Sequence, residues 1–197
     1  MDVRQTRLPG VLLIEPDIYY DSRGFFLESY HTQRYQQVGG MIGFVQENHS
    51  LSCYGTIRGL HAQVRRAQAK LVRVIEGEIF DVAVDIRRGS PTFGCWAAAS
   101  LSAVNRRQYF IPTGFAHGFA TTSYSAQVEY KCTEYYDPTD EIVILWNDPA
   151  IGIPWPIQEP VLSAKDTSAP TLRHIQHLLP RFETARPPEP ASDQTFQ

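Results

Sequence analysis

Short runs of β-branched and aromatic residues, separated by clusters of Gly, Pro, Asn and Asp, recur along most of this chain. Such runs fit a pleated sheet surface and the clusters favour turns, so the pattern predicts strands rather than helices. Their spacing indicates a mainly β fold, a jelly-roll β-sandwich or barrel. The predicted strand segments are 44–46, 56–63, 96–101, 108–111, 126–133 and 142–146. Helices are predicted only at 32–38 and 171–179.

The most regular stretch, residues 69–86, has two runs of Val, Ile and Phe on either side of Glu76 and Gly77. Because a pair of this kind can close a tight turn, the two runs are predicted to form one antiparallel hairpin. In the second run, apolar residues alternate with Asp81 and Asp85, which is the period of a sheet with two unlike faces. One face is expected to pack in the core, and the other can carry polar groups.

Length, charge and cysteine content argue against several classes of protein. The chain has 197 residues, enough for a substantial core, and its net charge of -3 disfavours general nucleic-acid binding. No apolar run approaches the roughly 18 to 20 residues of a membrane-spanning helix. The first ten residues lack the apolar core of a secretory signal. The three cysteines are scattered and predict no disulfide framework. We expect a cytoplasmic protein with one domain over residues 1–180 and a flexible, Pro-rich tail over residues 181–197.

Polar and ionisable side chains are dense within the predicted strands. Burying such groups without partners is costly, so strands that carry them usually line a cavity. The residues are Gln46, Asn48, His49, Arg58, His61, Gln63, Lys70, His117, Tyr130 and Lys131. Each alone could equally be an exposed strand residue or a hydrogen-bonded core residue. The cluster as a whole predicts a polar cavity inside the β-structure.

A metal site is one alternative for this cavity, because such barrels often bind metal through His-x-His plus Glu on one hairpin and a further His on another. Here His61 is followed two positions later by Gln63, and residues 64–69 contain no carboxylate. The segment 112–117, which ends in His117, does resemble the second half of the pattern. Too few ligands remain for a transition-metal site, so we expect no metal.

Without a metal, His61 is free to act as a base, since an imidazole titrates near neutral pH. A carboxylate on its second nitrogen would fix the tautomer, although the sequence does not identify that carboxylate. A structural histidine bonded to backbone is the alternative. Covalent catalysis is disfavoured because there is no G-x-S-x-G elbow and no activating context for Cys53 or Cys132. The absence of G-x-G-x-x-G and P-loop motifs predicts no nucleotide cofactor.

Seven segments carry a family resemblance: DSRGFFLESY, FVQENHS, IRGLHAQ, AQAKLVRVIEGEIFDVAVDIRRGSPTFGCW, IPTGFAHGF, EYKCTEYYDP and WNDPAIGIPWP. They occur in this order within residues 3–175 and closely resemble the dTDP-4-dehydrorhamnose 3,5-epimerases. The resemblance implies a cupin-type jelly roll with a few short helices and no cofactor. It also implies epimerisation of a dTDP-4-keto-6-deoxyhexose, in which protons beside the 4-keto group are removed and then returned on the opposite face.

The resemblance assigns four catalytic roles. His61, in the RGLH motif, corresponds to the base, and Asp166, in VLSAKD, corresponds to the aspartate that orients it. Lys70 would stabilise the enolate oxygen, a task that suits a cation. Tyr130, in EYKCT, would supply a proton from the other side. Inversion is easiest with a base and an acid on opposite faces, which agrees with these residue types.

The resemblance also implies residues that bind the dTDP-sugar. They are Arg23, Phe26, Glu28, Gln46, Asn48, Arg58, His117, Tyr136, Glu141 and Lys165. Guanidinium groups suit a diphosphate, and an aromatic ring such as Phe26 or Tyr136 can stack on thymine. For Arg23 and Arg58 the alternative is a surface or structural ion pair. The resemblance further implies a homodimer with shared strands, in which some of these groups serve the neighbouring site.

The chain departs from the family pattern beside the predicted sugar pocket. Ala62 stands where an aromatic residue is common, and the link 62–69 is one residue short and carries Arg65 and Arg66. An epimerase that inverts only C3 or only C5 of a related sugar therefore stays an alternative. A non-catalytic sugar-nucleotide-binding cupin and a metal-dependent cupin enzyme are further alternatives. Retention of a base and an acid together argues against pure binding.

Overall fold

The computed structural model describes residues 1–39 and 43–182. Its strands are β1 (Asp2–Gln5), β2 (Leu12–Glu15), β3 (Ile18–Asp21), β4 (Gly24–Leu27), β5 (Gln46–Cys53), β6 (Ile57–Gln63), β7 (Lys70–Glu76), β8 (Glu78–Asp85), β9 (Trp96–Ser102), β10 (Gln108–Ile111), β11 (Phe115–Thr121), β12 (Ser125–Cys132) and β13 (Glu141–Val143). A six-stranded sheet has the order β1-β2-β10-β7-β12-β5, and a five-stranded sheet has the order β13-β6-β11-β8-β9. The predicted mainly β, jelly-roll architecture is confirmed.

The helices are short. They are α1 (Thr32–Gly39), α2 (Ala164–Thr167) and α3 (Leu172–Ile175), and a 3-10 turn follows at Gln176–Leu178. Both predicted helical segments are confirmed, the second as two separate turns. Within the described ranges, every helix is too short or too polar to cross a bilayer. At the start of the predicted tail, Arg181 bridges to Arg88, and residues 183–197 lie outside the described part of the chain.

The predicted hairpin over residues 69–86 is wrong. β7 lies in the six-stranded sheet between β10 and β12, whereas β8 lies in the five-stranded sheet between β11 and β9. Gly77, with φ +77°, forms the corner, where an added Cβ would lie 2.0 Å from the carbonyl oxygen of Ser125. Val74 and Ile79, on either side of this corner, both pack in the core between the sheets. The chain therefore crosses from one sheet to the other, because both runs bury an apolar face in the same space.

The described residues form four apolar clusters, and three of them show how the layers are held together. The central cluster draws on strands of both sheets and packs between them. A second cluster covers the other face of the five-stranded sheet, where Val82 and Val84 of β8 meet residues of the C-terminal segment such as Ile151 and Leu172. The third includes Tyr35 of α1 against the six-stranded sheet. The predicted alternation along β8 is therefore confirmed, since its odd and even residues pack in different layers.

Two glycines bring β6 and β11 unusually close. Gly59 has φ +132°, and a Cβ there would lie 2.5 Å from Cα of Gly118. Gly59→Ala is expected to destabilise the fold by about 1–3 kcal/mol from backbone strain and by a further ~1–3 kcal/mol from overpacking. Gly24→Ala is the matched control, because Gly24 has φ +130° but nothing within 4 Å of an added Cβ. Denaturant unfolding curves should show the larger loss for Gly59→Ala, and equal losses would contradict the close-approach argument.

Candidate active site

A polar cavity lies between the two sheets beside the central core. Its larger chamber has a volume of about 590 Å³, and an adjoining chamber has a volume of about 290 Å³. Three residues line both chambers: His61, Lys70 and Tyr130. The structure therefore brings together three of the four predicted catalytic residues at the junction of the two chambers, and Asp166 lines the larger one.

The catalytic candidates stand on opposite walls of this cavity. His61 belongs to β6 in the five-stranded sheet, while Lys70 of β7 and Tyr130 of β12 belong to the six-stranded sheet. On β12, Tyr130 packs against the central core, as Val128 two residues earlier does. Strand alternation thus directs the phenol inward. A substrate held between the sheets would have the imidazole on one side and the phenol on the other.

The imidazole of His61 forms a close pair with Asp166. Its Nε2 lies 2.6 Å from Oδ1 of Asp166, a residue of α2 that is only 2% exposed. Burial alone would raise the pKa of this carboxyl, but the hydrogen bonds from His61 and Ser163 hold the pKa below its ordinary value. An ionised Asp166 engages Nε2, so Nδ1 is the ring nitrogen left to take up a proton.

A second carboxylate faces the other ring nitrogen. Oε1 of Glu141 lies 3.9 Å from Nδ1 of His61, while Oε2 accepts hydrogen bonds from Lys165 Nζ at 2.7 Å and from the Tyr136 hydroxyl at 3.2 Å. The bond to Glu141 outweighs partial burial and raises the pKa of Lys165. Glu141, Lys165 and Tyr136 thus form one hydrogen-bonded network beside the His61–Asp166 pair.

Burial changes the acidity of the groups on the opposite wall. Desolvation lowers the pKa of Lys70 and raises the pKa of the Tyr130 phenol. Lys70 Nζ lies 5.9 Å from the centre of the Tyr130 ring. A phenol with a raised pKa stays protonated at neutral pH. It can therefore donate a proton. Burial disfavours the protonated form of Lys70, whereas negative charge that develops beside it would favour that form.

His117, which lines the larger chamber, forms a second, buried pair with Asp81, a residue that sequence reasoning did not assign to the site. The distance from His117 Nε2 to Asp81 Oδ2 is 2.9 Å, and the two residues are 6% and 0% exposed. Desolvation raises the pKa of Asp81 and lowers the pKa of His117. In the sequence, the alternation along β8 placed Asp81 on the face that can carry polar groups. This alternation was the signal that could have identified Asp81 as a residue near the site.

Most of the remaining predicted residues on β5 and β6 also face the cavity, whereas His49 is exposed on the outer side of the sheet. Gln46 Nε2 donates to Asn48 Oδ1 at 3.0 Å, and both residues line the smaller chamber. Arg58 lines the larger chamber, where its Nε donates to Ser52 Oγ at 3.0 Å and its Nη2 donates to the Leu51 carbonyl at 3.3 Å. These bonds fix the guanidinium at the wall of the cavity.

Three predicted binding residues do not line either chamber. Arg23, Phe26 and Glu28 lie on or beside the separate β3–β4 hairpin. Arg23 pairs with Asp21, Glu28 pairs with Arg34, and the Phe26 ring is 69% exposed. The chain's own fold therefore does not bring these three residues to His61.

The two departures from the family pattern have different surroundings. Ala62 borders the smaller chamber but packs in the apolar cluster on the far face of its sheet. In the link that follows, the backbone N–H groups of Arg65 and Arg66 donate to the Asp140 carboxylate, and Arg66 also pairs with Glu134 at 2.7 Å. The shortened link is thus fastened to the segment before β13.

Across residues 1–39 and 43–182, no three His, Cys, Asp or Glu residues form a group that could hold a metal ion.

An imidazole–carboxylate pair that faces a protonated phenol across the cavity of a jelly roll is typical of enzymes that transfer protons by general acid–base catalysis. A sequence profile described as dTDP-4-dehydrorhamnose 3,5-epimerase matches residues 5–174. The chain belongs to the dTDP-4-dehydrorhamnose 3,5-epimerase family.

Individual relatives agree with this assignment. A dTDP-4-dehydrorhamnose 3,5-epimerase of Salmonella typhimurium is 55% identical over 175 residues, which cover 87% of this chain and 96% of that protein. A relative of the same name from Neisseria gonorrhoeae is 50% identical over 197 residues, and this chain spans 60% of its length. Among solved structures, the dTDP-6-deoxy-D-glucose-3,5-epimerase of Legionella pneumophila in complex with dTDP-4-keto-L-rhamnose is 49% identical with a TM-score of 0.90, covering 93% of this chain and 99% of that one.

Proposed function

We propose that this chain catalyses the cofactor-independent epimerisation of a dTDP-4-keto-6-deoxyhexose at C3 and C5. The family assignment supports this function, and the carrying observation is the placement of His61 and Tyr130 on opposite walls of one cavity. Inversion at a carbon requires that the proton leave from one face and return to the other. A base and an acid that face each other across the substrate meet that requirement directly.

His61 is the base in this proposal. The short contact between its Nε2 and Asp166 leaves Nδ1 to abstract the proton, and the adjacent carboxylate stabilises the imidazolium that forms. Glu141, 3.9 Å from Nδ1, adds a second negative charge next to that imidazolium. The base is thus oriented before the substrate arrives.

Lys70 stabilises the enolate. Removal of a proton beside a ketone moves negative charge onto the 4-oxygen, where a fixed cation is worth several kcal/mol in a site shielded from water. Lys70 lines both chambers. In the described part of the chain no side chain forms a hydrogen bond with its Nζ, whereas each of the other lysines has a carboxylate partner. Nζ is therefore unpaired within the described residues and can bind the 4-oxygen, and the negative charge that develops there favours the protonated form of Lys70, which burial alone disfavours.

Tyr130 returns the proton. Desolvation of its partly buried phenol raises the pKa, so the phenol holds a proton at neutral pH, and it lies on the wall opposite His61. After the enolate forms, transfer of that proton to the face away from His61 inverts the carbon. That transfer leaves a proton on His61 and a phenolate at Tyr130, so His61 releases its proton to water and Tyr130 takes one up from water before the same steps invert the second carbon beside the ketone.

The dTDP portion would be held by polar groups around the two chambers. Arg58 and Lys165 line the larger chamber and supply positive charge for the diphosphate, while Tyr136 borders the smaller one. Arg23, Phe26 and Glu28 are proposed to act on the cavity of a second copy of the chain. Their position on an exposed hairpin, away from their own cavity, supports a homodimer with shared strands.

The three cysteines are free, which is compatible with the predicted cytoplasmic location.

Deuterium incorporation tests this function. When the protein is incubated with dTDP-4-keto-6-deoxyglucose in D₂O, NMR is expected to show deuterium at both C3 and C5, together with the inverted product. Label at only one of these carbons would favour the mono-epimerase alternative. No label at either carbon would contradict the proposed function and favour a binding protein. Exchange is also expected to persist after chelation with EDTA, and its loss would favour the metal-dependent alternative.

A further inference from the structure

Ser163 occupies a place in the site that the catalytic roles above do not use. It precedes α2 and lies at the rim of the larger chamber. Its Oγ makes two contacts with one residue, because it accepts a hydrogen bond from the Asp166 backbone N–H at 3.1 Å and donates to Asp166 Oδ2 at 2.9 Å. The hydroxyl therefore holds the backbone and the carboxylate of Asp166 at the same time.

We propose that Ser163 is a positioning residue that fixes the Asp166 carboxylate against His61. This inference rests on the proposed function, since it concerns the orientation of the same base. Asp166 Oδ1 accepts from His61, and Oδ2 accepts from Ser163, so each carboxylate oxygen has its own donor. A carboxylate that is held at both oxygens cannot rotate about its last side-chain bond without losing a charge-assisted hydrogen bond.

The local chain geometry explains why a serine suits this position. Ser163 has the extended backbone of a helix N-cap, with φ -72° and ψ 158°, and Asp166 is three residues further on. In an ordinary cap, the hydroxyl accepts from that N–H group and its own proton points elsewhere. Here the proton of the Ser163 hydroxyl also has an acceptor, because Asp166, whose N–H group bonds to this hydroxyl, carries the carboxylate that contacts His61. The very short helix α2 thus presents Asp166 to β6.

The loss of the hydroxyl should affect turnover more than binding. Ser163→Ala removes one donor to a buried carboxylate, and a hydrogen bond to a charged group is worth about 10- to 100-fold in rate when it acts only on the chemical step. We expect kcat to fall by that factor, with KM changed by less than about 3-fold. Ser163→Thr keeps the hydroxyl and should restore most of the activity, as a Thr N-cap is also stable.

Two further variants separate positioning from folding. Ser163→Gly loses the hydroxyl but retains a residue that is accepted at an N-cap, so it should be as slow as Ser163→Ala while remaining folded. Ser168→Ala is the matched control at the other end of α2, where the hydroxyl donates to the Ala164 carbonyl and not to Asp166. This control is expected to have wild-type kcat. Wild-type kcat in both Ser163→Ala and Ser163→Gly would overturn the proposal.

A measurement without substrate distinguishes this proposal from the proposed function. The proton between His61 and Asp166 should give a far-downfield proton NMR resonance that is absent in His61→Ala. In Ser163→Ala that resonance is expected to shift upfield or broaden, and in Ser163→Thr and Ser168→Ala it should remain as in wild type. An unchanged resonance in Ser163→Ala would overturn the positioning role. A wild-type protein that shows this resonance but exchanges no deuterium would contradict only the proposed function.

Discussion

His61→Ala is expected to abolish deuterium exchange at both C3 and C5, with kcat/KM reduced by about 10²- to 10⁴-fold or to the limit of detection. The physical reason is that His61 is the only proposed base, and among the described residues it is the one histidine that contacts Asp166. The assay is the D₂O experiment followed by NMR. Because His61 is partly exposed in the cavity, the truncation should leave the fold intact, which circular dichroism can check.

The matched control for this variant is His49→Ala. His49 is an exposed residue of β5 whose ring contacts Gln127 on the outer side of the sheet, so its loss should leave exchange unchanged. If His61→Ala exchanged deuterium at the wild-type rate, the base would have to be another group. The buried His117, paired with Asp81, would then be the first residue to examine.

The fold class was predictable from the sequence because alternation and turn residues report local geometry. Strand Gln108–Ile111 and helix Thr32–Gly39 appear where these signals placed them. The pairing of strands was harder to predict, as residues 69–86 show. A glycine turn between two apolar runs has the same local signature in a hairpin and in a crossover between sheets, and the outcome depends on contacts that are distant in sequence.

Some elements gave a weak local signal. β11, Phe115–Thr121, contains two alanines and a glycine, which have low strand propensity, yet all seven of its residues are buried between neighbouring strands. Gly118 is needed there because Gly59 of β6 approaches it closely. Tertiary packing thus overrides propensity at the centre of the five-stranded sheet. The same close approach gives a physical reason for the glycine of the RGLH motif.

The composition of the candidate site was predictable only in part. The density of polar residues on strands indicated a cavity, and the family resemblance supplied its candidates. Neither source identified Asp81 or Ser163, because their partners His117 and Asp166 are known to be neighbours only once the chain is folded. Nor could alternation show that Arg23 and Phe26 would lie on a hairpin away from the cavity.

Tyr130→Phe is expected to separate proton removal from inversion. The change deletes the phenol oxygen but keeps the ring that packs near Lys70 and against the central core. His61 can still remove a proton, but without an acid on the opposite wall the enolate is reprotonated from the face it came from. Deuterium should therefore enter the recovered substrate, while formation of the inverted product falls by about 10²- to 10⁴-fold.

The measurement compares two rates in one NMR experiment, deuterium wash-in at C3 and C5 and the appearance of the inverted sugar. Tyr124→Phe is the control, because Tyr124 is 93% exposed and lies on the turn before β12. Both rates should match wild type in that variant. Inversion at the wild-type rate in Tyr130→Phe would mean that another group, or water, delivers the proton. Loss of exchange as complete as in His61→Ala would mean that the phenol is already needed when the proton leaves. Either result would contradict the roles assigned to the two walls, which place proton removal on the imidazole side and proton return on the phenol side.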